Sequence, residues 1–362
     1  MNTLHLFAKH LDHNYEQLRK KIDAKTLFIA VIKAQAYGSH LGFFAKRLEQ
    51  LGADAFAVAY TEEGKQLRAI GIKTPILVFY PQISTLSQLI EAHLEPCLYN
   101  TNVFMAVQTI IRSKGLHAYP VHIKYNTGLN RVGFTPEQSQ WILKQLEHAP
   151  FQVKSVYSHL AASEEKRPSA LCDQQIECFS ALRKLHLNSS KHTPFFHLLN
   201  SSGVFNYPEY QYDAVRCGIA LHGYANHSDW DDELLPVATL TSKICQLTEV
   251  KKGASVGYDH GWVAEKDTRI ATLPIGHADG IGRHFGKSNT SVFIHGKAVP
   301  IVGNICMDLL MIDVTAVECA VGDEVELFGS SKNAAVFAQS GATISYEILT
   351  QLGVRIERKL NL

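Results

Sequence analysis

Up to about residue 225 the chain alternates short, unbroken apolar runs with longer stretches in which apolar residues recur every three to four positions. The runs, rich in β-branched residues, fall at 27–33, 54–59, 75–79, 95–99, 119–125, 152–158, 195–199 and 213–217. Runs of this length without a polar face are the pattern of strands buried on both sides, as in a parallel sheet covered by helices. Most intervals hold helix-periodic segments, among them 41–51, 61–70, 83–93, 135–148 and 170–186. Strand and helix thus alternate through eight units, which predicts an α/β fold built on a (β/α)8 TIM-type barrel. A doubly wound open sheet is the alternative. From about Leu234 the texture changes to short alternating runs (Ala238–Thr248, Arg269–Leu273, Thr290–Phe293, Lys297–Val302, Leu309–Val314, Glu324–Leu327) broken by Gly, Pro, Asn and Asp. These predict a second, mainly antiparallel β domain. The expected division is 1–230 for the barrel and 231–362 for the β domain, with one late helix between Thr343 and Gly353.

Composition narrows the function classes. A chain of 362 residues, 46% hydrophobic and 19% charged, can bury a large core. Its formal net charge of +1 and scattered lysines and arginines provide no basic field, which argues against nucleic acid as a partner. Met1 to Asp12 lacks a basic segment followed by an apolar one, and no apolar run reaches membrane-spanning length, so a cytoplasmic protein with no membrane contact is expected. The seven cysteines are dispersed without CxxC spacing, which suggests neither a disulfide framework nor a metal site.

Chemistry in such barrels sits at the C-terminal ends of the strands, and the polar residues fall there. Lys33 ends the first barrel strand; Lys124 and Asn126 end the fifth, with Arg131 just beyond; His159 ends the sixth. Asn200, Ser201 and Ser202 follow the seventh, and Arg216, Gly218 and Ile219 the eighth. Burial lowers the pKa of a strand-end lysine and lets it form and exchange a Schiff base near neutral pH, the plain alternative being a side chain that reaches to solvent. The loops after the last two strands of a barrel commonly bind phosphate through backbone N–H groups, and Ser201-Ser202-Gly203 and Cys217-Gly218-Ile219 suit that task. A lysine facing a phosphate cradle calls for a cofactor with both an aldehyde and a phosphate, which pyridoxal 5′-phosphate has.

Ala30-Val31-Ile32-Lys33-Ala34-Gln35-Ala36-Tyr37-Gly38 resembles the cofactor-lysine signature of bacterial alanine racemases. The resemblance recurs in order at Lys124 to Gly133, Tyr157-Ser158-His159-Leu160-Ala161, His197 with Asn200-Ser201, and Val215-Arg216-Cys217-Gly218-Ile219. It continues through Val256-Gly257-Tyr258, Leu273 to Gly280, Gly303 to Asp308 and Ser345-Tyr346-Glu347, covering nearly the whole chain. It implies a homodimeric, pyridoxal-phosphate-dependent enzyme that interconverts L- and D-alanine and supplies D-alanine for peptidoglycan.

Roles follow from the resemblance position by position. Lys33 would hold the cofactor and serve as base on one face of the substrate. Tyr258, supplied by the partner subunit, would serve the opposite face, and racemisation requires such an opposed pair. A phenol of ordinary pKa of about 10 is a poor base at neutral pH, and His159 and Arg216 are expected to favour its phenolate. Arg216 would meet the pyridine nitrogen, where a guanidinium that keeps its proton leaves the ring a weaker electron sink. Arg131 and Met307 would bind the substrate carboxylate, with Lys124, often carbamylated in the family, orienting Arg131. Tyr37, Ser201, Gly218, Ile219 and Tyr346 would bind the phosphate, and His197 and Asn200 border the cofactor.

Some positions depart from the family pattern: Gln35 where asparagine is frequent, Asn126 for aspartate, His222 after Leu221 for tyrosine, and His277 for a tyrosine of the substrate entry corridor. Competing readings are a racemase of another small amino acid such as serine, a decarboxylase of the same barrel type, against which Arg216 argues, and a carrier protein for the cofactor. The carrier resembles only the barrel, and residues 234–362 speak against it.

Overall fold

The computed structural model describes residues 2–165, 167–189 and 193–362. After β1 (Thr3–Phe7) and the helix Ala8–Lys20 the chain enters β2 (Leu27–Val31), β3 (Ala55–Val58), β4 (Ile76–Val78) and β5 (Glu95–Leu98). There follow β6 (Tyr119–Lys124), β7 (Phe151–Tyr157), β8 (Phe195–His197) and β9 (Ala214–Cys217). Among the described residues each of these eight pairs in parallel with the next, and β9 returns to β2, with Leu27 opposite Ala214 and Ala30 opposite Cys217. The sheet is therefore a closed barrel, which removes the open-sheet alternative. Closure explains the unbroken apolar runs: one set of alternate residues fills the barrel and the other meets the helices, so Phe28, Phe56 and Val58 are all fully buried.

The helices carry the stripe their period requires. Thr101–Ser113 buries Val103, Phe104, Val107 and Ile111, and the Asn100 side chain caps it by accepting from Val103 N at 2.8 Å. Two expected helices are shorter, because their first turns tighten to three-residue 3₁₀ geometry at Ile83–Thr85 and Pro136–Gln138 before Leu86–Glu91 and Ser139–Leu146 begin.

The second unit comprises β10 (Ala238–Lys243), β11 (Gln246–Val250), β12 (Ser255–Val256), β13 (Trp262–Val263) and β14 (Thr268–Leu273). It continues with β15 (Ser291–Ile294), β16 (Lys297–Val302), β17 (Leu310–Asp313), β18 (Glu324–Phe328) and β19 (Glu357–Asn361). The run expected at 238–248 is two strands, broken at Ile244 and Cys245. Among the described residues a nine-stranded sheet forms in the order β11-β14-β17-β16-β15-β18-β10-β1-β19. Its pairs are antiparallel except β1 with β19, which run parallel. Both ends of the chain thus lie in this sheet.

That arrangement pins the segment after Lys33. Arg358 of β19 donates through Nη2 to Gly38 O at 3.1 Å and to Leu352 O at 2.9 Å. Gly38 has φ +75°, and a Cβ there would stand 1.9 Å from the carbonyl oxygen of Leu349, in the helix Ser345–Thr350. Gly38→Ala is expected to lower the melting temperature by a few degrees, since the left-handed conformation alone costs about 1–2 kcal/mol for a side chain. Thermal unfolding followed by circular dichroism checks this, and an unchanged melting temperature would show that the barrel and the sheet do not depend on this contact.

Candidate active site

The C-terminal mouth of the barrel holds a cavity of about 290 Å³ lined by Lys33, Tyr37, Lys124, Arg131, His159, Asn200, Ser201, Arg216, Gly218, Ile219 and Tyr346, together with Val31, Phe79, Tyr80 and Tyr157. Eleven residues singled out in the sequence therefore meet in one place. His197 lies directly behind, joined to Arg216 at 2.7 Å. Tyr258 and Met307 do not line this cavity; they are 68% and 59% exposed on the β domain. Asn304 Nδ2 donates to Tyr258 O at 2.9 Å and so ties their two loops together. His277 is exposed in the adjoining turn, its N–H donating to Cys306 O at 3.0 Å.

Lys33 is set by an unusual turn. Ala34, Gln35, Ala36 and Tyr37 have φ of 52°, 56°, 52° and 53°, a left-handed stretch without glycine, each residue of which costs about 1–2 kcal/mol. Glu63 holds it: Oε1 accepts from Ala34 N at 2.6 Å, while Oε2 accepts from Ala59 N at 2.7 Å and Tyr60 N at 3.2 Å. One carboxylate thus clamps the loops after β2 and β3. The turn delivers Lys33 and Tyr37 to the same cavity. Burial, followed by the charge of Arg131, lowers the Lys33 pKa, and Glu63 only partly opposes them.

The wall adjoining the Lys33 turn is built from the segments after β8 and β9. Ser201 Oγ accepts from Gly218 N at 3.0 Å and Ala220 N at 3.2 Å. A Cβ on Gly218 would meet Tyr37 Oη at 2.1 Å, so any larger residue there would push the Tyr37 ring out of place. Burial raises the Tyr37 pKa and pushes Tyr346 up to about 12, leaving both hydroxyls as neutral donors. His222 is packed behind Tyr37, stacked on Phe44 at 4.5 Å, and burial holds it neutral with a pKa lowered to about 3.

Arg216 is clamped by its neighbours. Nη2 donates to Ser158 O and Leu198 O at 2.8 Å each and to His159 Nδ1 at 3.1 Å. A guanidinium only donates, so His159 accepts at Nδ1 and, as a neutral ring, carries its proton on Nε2. Burial and then the Arg216 charge hold its pKa well below the ordinary histidine value. Tyr157 was not assigned a role in the sequence, yet Lys124 Nζ and Arg216 Cζ both stand 5.2 Å from its ring centroid, a cation–π platform. Strand alternation carries the signal, since Tyr157 ends β7 two residues after the inward-facing Ser155.

Among the described residues four cations (Lys33, Lys124, Arg131, Arg216) and no carboxylate line the cavity. Such a wall suits an anionic ligand, and the neutral hydroxyls of Tyr37, Tyr346 and Ser201 line it as well. With an amine of lowered pKa in the same lining, this set fits pyridoxal 5′-phosphate and a small amino acid.

The chain matches the family model "Alanine racemase, N-terminal domain" over residues 8–226 and "Alanine racemase, C-terminal domain" over residues 237–360. "Alanine racemase 1" of Caldanaerobacter subterraneus subsp. tengcongensis is 34% identical over 362 residues, 96% of this chain and 92% of that protein. The solved alanine racemase of Clostridium difficile 630 superposes with a TM-score of 0.92 at 29% identity, covering 100% of this chain and 97% of that one. The alanine racemase of Bartonella henselae, solved with covalently bound pyridoxal phosphate, gives 0.89 at 28% identity and covers 99% of each chain.

Lys124 provides a test of the cation cluster. Its ammonium is 4% exposed, and burial, with Arg216 and Arg131 acting the same way, lowers its pKa from 10.5 to about 8. Below pH 8 both folded and unfolded chains are protonated and the burial penalty is fully present. Between about pH 8 and 10.5 the unfolded chain holds a proton that the folded one has released, so this group makes stability rise with pH. Lys124→Met is therefore expected to stabilise the cofactor-free protein at pH 7 and to remove that rise, in urea unfolding in carbonate-free buffer across the pH range. Parallel pH curves for the two proteins would contradict a buried lysine charge.

Proposed function

The chain belongs to the alanine racemase family of pyridoxal-5′-phosphate-dependent isomerases, and from that membership we propose that it interconverts L- and D-alanine with two opposed proton-transfer groups, Lys33 and Tyr258 of the partner subunit. The observation that carries this reading is the convergence of Lys33, Arg131, Arg216 and the Ser201–Gly218 wall on one cavity that has no acid in its lining.

When bound, the cofactor supplies an electrophilic carbonyl and an electron-withdrawing ring that acidifies the substrate α-proton. Lys33 Nζ holds the aldehyde end and, once freed by substrate, takes or returns the α-proton on its own face. Its lowered pKa suits both tasks. Tyr37, Tyr346, Ser201 and the backbone of Gly218 and Ile219 hold the phosphate, with Asn200 and His197 behind them. Arg216 would meet the ring nitrogen and, keeping its own proton, would leave the ring a weaker electron sink. Arg131 grips the substrate carboxylate with its planar fork, oriented by Lys124. The lowered pKa makes the neutral Lys124 amine accessible; that form would add carbon dioxide with loss of a proton, and the resulting carbamate beside Arg131 would turn repulsion into attraction.

The second face needs Tyr258, which lies outside the cavity of its own chain and is exposed beside Met307. Large apolar groups exposed together mark an association surface, and a two-fold dimer places the same patch of each copy at the other's cavity. In this arrangement Met307 offers its N–H to the substrate carboxylate, and His159, fixed with Nε2–H as donor by Arg216, favours the tyrosine's phenolate. Among the described residues no helix is long and apolar enough to cross a membrane, and we place the enzyme in the cytoplasm, supplying D-alanine for peptidoglycan.

The holoenzyme is expected to show a visible band from the lysine-bound cofactor and to exchange the α-hydrogen of L-alanine for solvent deuterium while forming D-alanine. Lys33→Ala should lose the band. Tyr258→Phe should keep the band and lose racemisation by about 10²- to 10⁴-fold, the usual worth of a positioned acid–base group. Normal racemisation by Tyr258→Phe would overturn the two-base assignment, and serine in the same assay measures substrate preference.

A further inference from the structure

Behind Arg216 a chain of hydrogen bonds crosses the inside of the barrel. Arg216 Nη1 donates to His197 Nδ1 at 2.7 Å, and His197 Nε2 stands 2.8 Å from Ser155 Oγ. Ser155 Oγ is 2.6 Å from His122 Nδ1, and His122 Nε2 is 2.8 Å from Glu95 Oε2. Each of β9, β8, β7, β6 and β5 contributes one residue. Arg216 and His122 are each 3% exposed, and His197 and Ser155 are fully buried. Glu95 and His122 line a separate cavity of about 640 Å³ that also includes Leu27, Ala55 and Phe195, at the N-terminal ends of the strands. The chain therefore runs from the mouth of the barrel to its base.

Arg216 can only donate, so His197 accepts at Nδ1 and its neutral ring donates from Nε2 to Ser155. The Ser155 hydroxyl is then left to donate to His122 Nδ1 in its Nε2–H tautomer, which donates to Glu95. A carboxylate is the group that can end such a series, because it accepts without donating in return. Burial, then the Arg216 charge, keeps His197 neutral. Burial, the largest influence, raises the Glu95 carboxyl, but the hydrogen bond from His122 together with electrostatic attraction to His122, Lys154 and Arg68 holds its pKa below the ordinary value.

We propose that Glu95, at the opposite end of the barrel from the cofactor, is a positioning residue for Arg216, fixing through His122, Ser155 and His197 the orientation and polarisation of the guanidinium at the cofactor ring. The proposal rests on the alanine racemase reading, in which Arg216 meets the ring nitrogen. A neutral amide in place of Glu95 can donate to His122 as well as accept from it. The His122 tautomer is then no longer set, Ser155 can face two donors, and the order that holds His197 against Arg216 is lost.

The test compares holoenzyme Glu95→Gln, Ser155→Ala and the double variant with wild type. The readouts are the maximum of the cofactor's visible band, kcat and KM for L-alanine, and the melting temperature of the cofactor-free protein. Glu95→Gln keeps the shape of the side chain and should shift the band and lower kcat by ~2- to 30-fold, the range of coupling through buried networks. KM should change by less than the fall in kcat. Ser155→Ala should move the same readouts, and the double variant should be no worse than the stronger single one, because both cut one chain. Unmoved bands and kcat in both variants would overturn the proposal. So would a loss of kcat that only follows a fall in melting temperature while the band stays in place. A failure of the alanine racemase reading would appear in the wild type, whereas a failure of this inference appears only in the variants.

Discussion

The pairing of β9 with β2 sets the height and spacing of everything at the cavity. With Ala30 opposite Cys217, Lys33 and Gly218 leave the barrel on adjacent strands near the same level, and both line the one cavity. Closure also limits the interior to side chains that alternate along each strand, so residues two apart share the axis. His159 and Tyr157 on β7 and its continuation, or Lys124 and His122 on β6, thus form stacked layers. The polar mouth rests on a buried layer in which Tyr157 donates to Cys97 Sγ at 2.9 Å and stacks on His197 at 4.7 Å.

This layering brings cations together at a cost that the protein alone does not relieve. Burial lowers Arg216 to about 10 and Lys124 to about 8, and Lys33 is lowered as well. Their charges repel one another, and Glu63, the carboxylate nearest Lys33, is engaged by backbone N–H groups. An anionic cofactor and a substrate carboxylate would offset that repulsion, so part of their affinity would come from relief of a destabilised empty site. The order of donors behind Arg216 belongs to the same balance: among the described residues Glu95 ends the hydrogen-bonded chain that leaves that guanidinium, three side chains away.

The barrel was legible because parallel strands covered on both faces read as unbroken apolar runs, and all eight runs became strands. The cation cluster was legible because strand ends mark where a barrel does chemistry, and the family resemblance gave each residue a role. Other features left no local trace. β1 and β19 pair across nearly the whole chain length, and parallel pairing of two termini has no turn or spacing to announce it. Ala34-Gln35-Ala36-Tyr37 contains no glycine, so nothing in it signals a left-handed turn. Glu63 reads as an ordinary first-turn acid of the helix Thr61–Ala69, although its carboxylate clamps the lysine loop. Glu95, His122 and Ser155 sit inside apolar strands, where a polar residue facing the axis cannot be told from one facing a helix.

The β domain acts on the cavity in two different ways. Within one chain it closes the barrel mouth: Arg358 and Leu349 grip Gly38, and Tyr346, held by Asn226 Nδ2 at 3.1 Å, sits 5.9 Å from the Tyr37 ring. These contacts fix the end of the cavity proposed to hold the phosphate, and with it the turn that carries the lysine, within a single chain. Tyr258 and Met307 project from the same domain into solvent. In the proposed dimer they complete the substrate end of a neighbouring cavity. Cofactor capture then belongs to the single chain, while stereochemical inversion requires the pair, because a lone cavity presents a base to only one face of the α-carbon.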